Sequence, residues 1–140
     1  MSWLLAWFRS WRKPQTLGQR GEAFAARYLK KNGYTIVARQ DRSRLGEIDL
    51  IAVQDRTLVF VEVKTRTAEE KGAPDEAVNR DKQQRLTRAA LGYMRRHDLL
   101  GNCQARFDVI SLVWPERAKL PEVRHFENAF EPTGQFQMFS

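Results

Sequence analysis

The stretch LVFVEVKTR, Leu58 to Arg66, constrains the chain more than any other. Its β-branched and aromatic residues predict a buried strand. Strand side chains alternate between faces, so Leu58, Phe60, Glu62 and Lys64 point one way and Val59, Val61 and Val63 the other. Two charges therefore extend an apolar row. The preceding stretch, GEIDLIAVQ from Gly46 to Gln54, alternates in the same way and puts Glu47, Asp49, Ile51 and Val53 on one face. If Asp55 and Arg56 form a hairpin tip, Asp49 lies opposite Glu62 and Glu47 opposite Lys64. A three-residue or bulged loop would break that register, and Asp-Arg is not a favoured two-residue turn.

In that register two carboxylates face each other with Cβ atoms roughly 5 Å apart, where like charges destabilise a sheet. A divalent cation between them removes the conflict. Magnesium takes oxygen ligands, keeps several waters, and is commonly held by one or two carboxylates together with substrate phosphates. No Cys or His stands beside these acids, which argues against zinc and copper. Lys64 follows Glu62 on the same face and could orient or deprotonate an attacking water, or stabilise charge on a phosphoryl transition state. The pattern suits metal-assisted hydrolysis. The alternative pairs Glu47 with Lys64 across the strands and leaves Asp49 and Glu62 in solvent. Phe60 and Ile51 on the same face weigh against it.

Around this hairpin the chain reads as one domain. TLGQRGEAFAARYLKKNGY, from Thr16, predicts a helix with Thr16 as N-cap and Asn32-Gly33 as its stop, and puts Glu22 at the edge of the apolar stripe. Strands are expected over Tyr34–Arg39, Glu47–Val53 and Thr57–Thr65, with Gln40 to Gly46 as a polar, basic loop. A second long helix is expected over Asp75–His97. Lys82 projects from the middle of its apolar face, either snorkelling outward or serving an acidic or phosphate site. Arg80, Lys82, Arg85, Arg88, Arg95 and Arg96 stand there against Asp81 alone, making the outer flank a phosphate-contacting candidate or simply a solvated face. Ala105 to Trp114 predicts a fourth strand and Glu122 to Phe130 a short fifth element.

Residues 1–15 form an aromatic, basic leader in which Trp3, Trp7 and Trp11 recur at helical spacing. It suits a membrane-surface or partner-binding helix or a set of base-stacking platforms, or it folds back on the domain. Residues 131–140 read as a loose tail. At 140 residues with 42% hydrophobic content, the chain has material for one folded core. Its formal charge of +7 points to a polyanionic partner, nucleic acid first and a membrane surface second. The single Cys103 excludes an internal disulfide and a multi-cysteine zinc site, and fits a reducing cytoplasm. No signal peptide is expected, because the apolar opening lacks a basic n-region and a small-residue cleavage site.

GEIDLIA and FVEVKTR, preceded by GQRGEAFAARYLKKNGY and followed by RFDVI and HFENAF, resemble the YraN-type family of predicted endonucleases. That family looks distantly related to archaeal Holliday-junction resolvases in the PD-(D/E)XK superfamily. The likeness spans Gly18 to Phe130. It implies an α/β, restriction-endonuclease-like core, a mixed sheet flanked by helices in the order αβββαβ, over residues 16–130. Asp49 matches the first motif acid, Glu62 and Lys64 the E-x-K half, and Glu22 the acid of the first helix. Ile48 replaces the motif's proline, which bears on strand geometry rather than on chemistry.

The resemblance implies a DNA endonuclease, with branched or junction DNA as one substrate class. Glu22, Asp49, Glu62 and the Val63 carbonyl are then expected to hold Mg²⁺ or Mn²⁺. Lys64 would assist the water, and Arg42, Arg44, Arg66, Lys82, Arg85 and Arg88 would grip nucleic acid. Two-site cleavage of the resolvase kind would make the chain a homodimer, and no small-molecule cofactor is expected. The rival expectation is a non-catalytic nucleic-acid-binding protein that keeps the fold. Asp108 and His125 lie in family-like stretches and receive no chemical role; a strand-end hydrogen bond is the expectation for His125.

Overall fold

Thr16 starts the first helix as its residue type predicts. Its hydroxyl accepts from the Gln19 N–H at 3.1 Å, and the Gln19 side chain accepts from the Thr16 N–H at 3.0 Å, closing a capping box. This helix, α1, runs Leu17–Lys31 and ends at Asn32 and Gly33, where glycine supplies φ +89°. The computed structural model describes residues 14–68 and 78–133. The tryptophans of the leader, residues 75–77 of the expected second helix, and the tail from 134 onward lie outside the described residues.

Five strands follow: β1 (Thr35–Ser43), β2 (Gly46–Gln54), β3 (Thr57–Arg66), β4 (Gln104–Val113) and β5 (Glu122–Phe130). They form one sheet in the order β1-β2-β3-β4-β5, antiparallel except for the parallel pair β3–β4. A parallel pair needs a crossover, and α2 (Arg80–Arg96) lies within it. The observed order is the expected αβββαβ with β5 added at the edge.

Two boundaries differ from expectation. The polar stretch 40–46 is mostly strand: Asp41 pairs with Ile48, Arg42 with Glu47 and Ser43 with Gly46, leaving Arg44 and Leu45 as the turn. An edge strand tolerates such composition, because its side chains face water while its backbone bonds to one neighbour. The second helix begins at Arg80 rather than Asp75, because the Asn79 side chain caps it by accepting from the Lys82 N–H at 2.9 Å.

The sheet buries apolar side chains on both faces. Against α2 lie Ile48, Ile51, Phe60, Phe107 and Val109 with Leu86, Ala90 and Met94 of the helix. Against α1 lie Leu50, Ala52, Val59, Val61, Ile110 and Leu112 with Ala25, Ala26 and Leu29. β3 is buried on both sides, so any polar group it carries is held in a defined place.

α1 approaches β3 closely at Gly21. A Cβ there would stand 1.8 Å from the Thr65 hydroxyl oxygen and 2.9 Å from the Thr65 Cβ. Rotating Thr65 relieves the first clash and leaves the second, so α1 must move away. Gly21→Ala is expected to lower stability by about 1–3 kcal/mol despite the higher helix propensity of alanine. Urea unfolding of the purified variant checks this. A neutral or stabilising result would mean that the helix shifts without loss of packing.

Candidate functional site

The hairpin register is the expected one. Leu50 pairs with Val61, Ile51 with Phe60, and Gln54 with Thr57 around a two-residue tip. Asp55 adopts φ +55°, which Asp tolerates better than most residues and which lets so short a turn close. The ladder stops at Leu50–Val61, one residue short of the acids. There the backbone departs from strict alternation: Ile48 and Ile51 both pack on the α2 side although three positions separate them. Asp49 sits in this irregular stretch, and its Oδ2 accepts from the Val63 N–H at 2.8 Å. A side-chain oxygen thus replaces a strand carbonyl and pins Asp49 beside β3.

Asp49 and Glu62 face one cleft of about 300 Å³ between the hairpin and α2, lined also by Gly46, Glu47, Lys82, Arg85 and Leu86. Glu62 is only 7% exposed, so its charge needs a partner, and the Lys82 ammonium supplies one in direct contact. Of the two placements open to Lys82, the structure has the inward one. Asp49 has no such relief. Burial first, then the charge of Glu62, then that of Glu22 and a hydrogen bond to Glu62 push its carboxyl up to about 8, against the lowering effect of the Val63 N–H. A carboxyl so placed keeps its proton near neutral pH, and a cation in the cleft would favour its ionised form.

The other expected residues are placed unevenly. Glu22 acts on Asp49 electrostatically but lines a neighbouring cleft with Gln19, Arg39 and Gln40, where it accepts from Gln40 Nε2 at 2.7 Å. Lys64 is half-buried on β3 and lines neither cleft. The alternative pairing of Glu47 with Lys64 is not what forms: Glu47 meets Arg42 across β1 and β2 at 3.5 Å. Val63 contributes its N–H to Asp49. Arg44, Arg85 and Arg88 are exposed, whereas Arg66 is half-buried at the end of β3.

The oxygen-only chemistry of Asp49 and Glu62, two carboxyls whose joint ionisation this cleft disfavours, fits a hard divalent cation. Among the described residues, no three Asp, Glu, His or Cys converge closely enough to make a complete ligand cluster. Water and substrate phosphate would have to complete the shell.

A second polar cluster contains the hydrogen bond expected of His125, while its other partners were not foreseen in the sequence. Asp108, fully buried on β4, accepts from Arg106 Nε at 3.0 Å, from His125 Nε2 at 2.8 Å and from the Asn128 N–H at 3.0 Å. The carboxylate fixes the tautomer with the proton on Nε2, which leaves Nδ1 to accept from the Tyr28 hydroxyl at 3.4 Å. Burial alone would raise the Asp108 carboxyl, but these bonds outweigh it and hold the group below the usual carboxylate range. Arg106 also donates to Tyr34 Oη at 2.9 Å and to Gln54 at 2.8 Å, tying β4 to β2 and to the end of α1. The cluster contributes no residue to the cleft that Asp49 and Glu62 share, and it reads as a brace for β5. Its members come from five separate stretches, and only the RFD and HFEN segments hint at it.

Among the described residues, no helix is long and apolar enough to cross a membrane. Comparison with known proteins identifies similar relatives. A UPF0102 protein of Rhodopirellula baltica is 46% identical over 121 residues, covering 84% of this chain and 72% of its own. One of Geobacter metallireducens is 44% identical over 117 residues, covering 84% and 93%. Two solved structures are similar at lower levels. One is Hjc of Archaeoglobus fulgidus, a Holliday junction resolvase, at 21% identity over 77% of this chain and 74% of that one, with a TM-score of 0.43. The other is SfsA of Pyrococcus furiosus, solved with Ca²⁺, at 15% identity over 77% and 63%, with a TM-score of 0.40. The model of the uncharacterised protein family UPF0102 matches residues 21–112, and the chain belongs to that family.

Proposed function

We propose that the chain is a divalent-metal-dependent phosphodiesterase that cuts DNA internally. The observation that carries this reading is the apposition of Asp49 and Glu62 in a cleft whose α2 wall bears Lys82 and Arg85. Two acidic side chains brought together in one cleft suit a place where a cation and a phosphate meet, and neighbouring cationic side chains suit a polyanionic backbone. Mg²⁺ or Mn²⁺ bound there would activate water and neutralise charge on the scissile phosphate.

The protein's own residues do the rest. Asp49, fixed by the Val63 N–H, and Glu62, fixed in β3, supply carboxylate oxygens, with Glu22 within electrostatic reach. Lys64, two residues beyond Glu62, is assigned to orient water or stabilise the leaving oxygen. Arg85 and Arg88 on α2, with Arg42 and Arg44 at the β1–β2 end, are assigned to the phosphate backbone. Resolving a junction would require two such sites, and hence two copies of the chain.

The test is cleavage of labelled single-stranded, duplex, flap and four-way-junction DNA with Mn²⁺ or Mg²⁺. Wild type is expected to cut at least one form, and Glu62→Ala to lose about 10²-fold or more of that rate. Cutting that survives Glu62→Ala or a chelator would refute the carboxylate assignment. The pairing of Glu62 with Lys82 favours one second reading, a nucleic-acid-binding protein that keeps the fold without the chemistry. DNA binding that persists in chelator, with no cleavage of any form, would establish it.

A further inference from the structure

Glu62 and Lys82 differ in their freedom to part. Glu62 sits in the central strand with its side chain 8% exposed, whereas the Lys82 side chain is 36% exposed and reaches it from the first turn of α2. The Lys82 backbone is anchored by the Asn79 cap, so only its stem and ammonium need move. A long flexible stem lets the ammonium swing to water at the cleft rim, beside Arg85, at small cost. The carboxylate has no comparable exit. When another cation arrives, Lys82 is the partner that yields.

We propose that Lys82 is a displaceable internal counter-ion. It neutralises Glu62 while no metal is bound, it must be displaced for a divalent cation to take that carboxylate, and its freed ammonium then faces the incoming phosphate. This rests on the reading of the acid pair as a cation site and adds a positioning residue to it. A consequence is that the ion pair opposes metal binding by the strength of a charge-assisted hydrogen bond in a partly desolvated site. Metal affinity is therefore lower than the two acids alone would give, and phosphate, by engaging the freed Lys82, raises it.

The experiment is calorimetric titration of chelator-treated full-length protein with MnCl₂, comparing wild type, Lys82→Met, Lys82→Gln and Arg85→Gln. The two Lys82 variants are expected to bind Mn²⁺ about tenfold or more tightly than wild type. Arg85→Gln removes the same charge from the same cleft without touching Glu62 and is expected to change affinity much less. Thermal unfolding without metal should show Lys82→Met below wild type, with the order reversed in saturating Mn²⁺. Unchanged or weaker binding in both Lys82 variants overturns the displacement while leaving the cation site in place. Equal tightening by Arg85→Gln also overturns it, since a general field would then be the cause. Absence of Mn²⁺ binding in wild type and both Lys82 variants overturns the cation site and the displacement together.

Discussion

Asp108→Ala is expected to lower the stability of the protein by about 3–5 kcal/mol, the usual cost of leaving a buried charge without its partner. Asp108 is fully buried and accepts from Arg106, His125 and the Asn128 N–H. Truncation strands the Arg106 guanidinium, whose side chain is 19% exposed, and leaves the Asn128 N–H unsatisfied. Asp108→Asn keeps the shape and loses the charge, so about 1–3 kcal/mol is expected. The native carboxyl is held below its ordinary range, so the unfolded chain takes up protons first as pH falls. The stabilisation is thus present at neutral pH and lost as pH drops below about 4. Urea unfolding at pH 7 and pH 3.5 checks both statements: the gap between wild type and Asp108→Asn should narrow in acid. An equal gap at both pH values would show that the charge is not what stabilises β5.

That brace marks the limit of what the sequence discloses. The hairpin was legible because alternation and loop length together leave few registers, and a one-residue slip would have moved every side chain to the other face. The start of α1 was legible because a threonine N-cap before an apolar helical stripe is a local signature that needs no tertiary partner. By contrast, Arg106 reaches Tyr34 across 72 positions, and no local pattern encodes that. The second half of β1 was misread as loop because polar composition signals exposure, and an exposed edge strand is as polar as a turn. For Lys82 the helical pattern left two placements open. The inward one follows from the burial of Glu62, a property of the assembled sheet rather than of either segment.

The site itself shows the same division. Strand alternation brought Asp49 and Glu62 to one cleft, but the break in alternation beside Asp49 belongs to the folded chain, as does the bond from Val63. That bond holds a carboxyl in place where the ladder would otherwise continue. The geometry of the acid pair is here built from a small departure from regular structure, which a regular reading of the sequence passes over. Glu22 shows the opposite case: its helix position was read correctly, yet its side chain turns to Gln40 and a neighbouring cleft.

Asp49→Asn is expected to stabilise the metal-free protein in alkali. The folded carboxyl is raised to about 8, first by burial and then by Glu62, whereas an unfolded Asp titrates near 3.9. Between those values the unfolded chain has lost a proton that the folded chain keeps, so stability falls as pH rises from about 4 through about 8 and then levels. Asparagine has no charge to bury and its carbonyl oxygen can still accept from the Val63 N–H. At pH 9 the variant should therefore exceed wild type by on the order of 3 kcal/mol, less than the full shift because water screens a half-buried group. At pH 4.5 the two should be close. Saturating Mn²⁺ should remove the pH-dependent loss from wild type, because a bound cation favours the ionised acid, and should do little for the variant. Melting temperatures across pH 4.5 to 9, with chelator and with Mn²⁺, read all of these differences. Parallel curves for wild type and Asp49→Asn would mean that Asp49 ionises freely in the fold, and the electrostatic case for a cation beside it would fall.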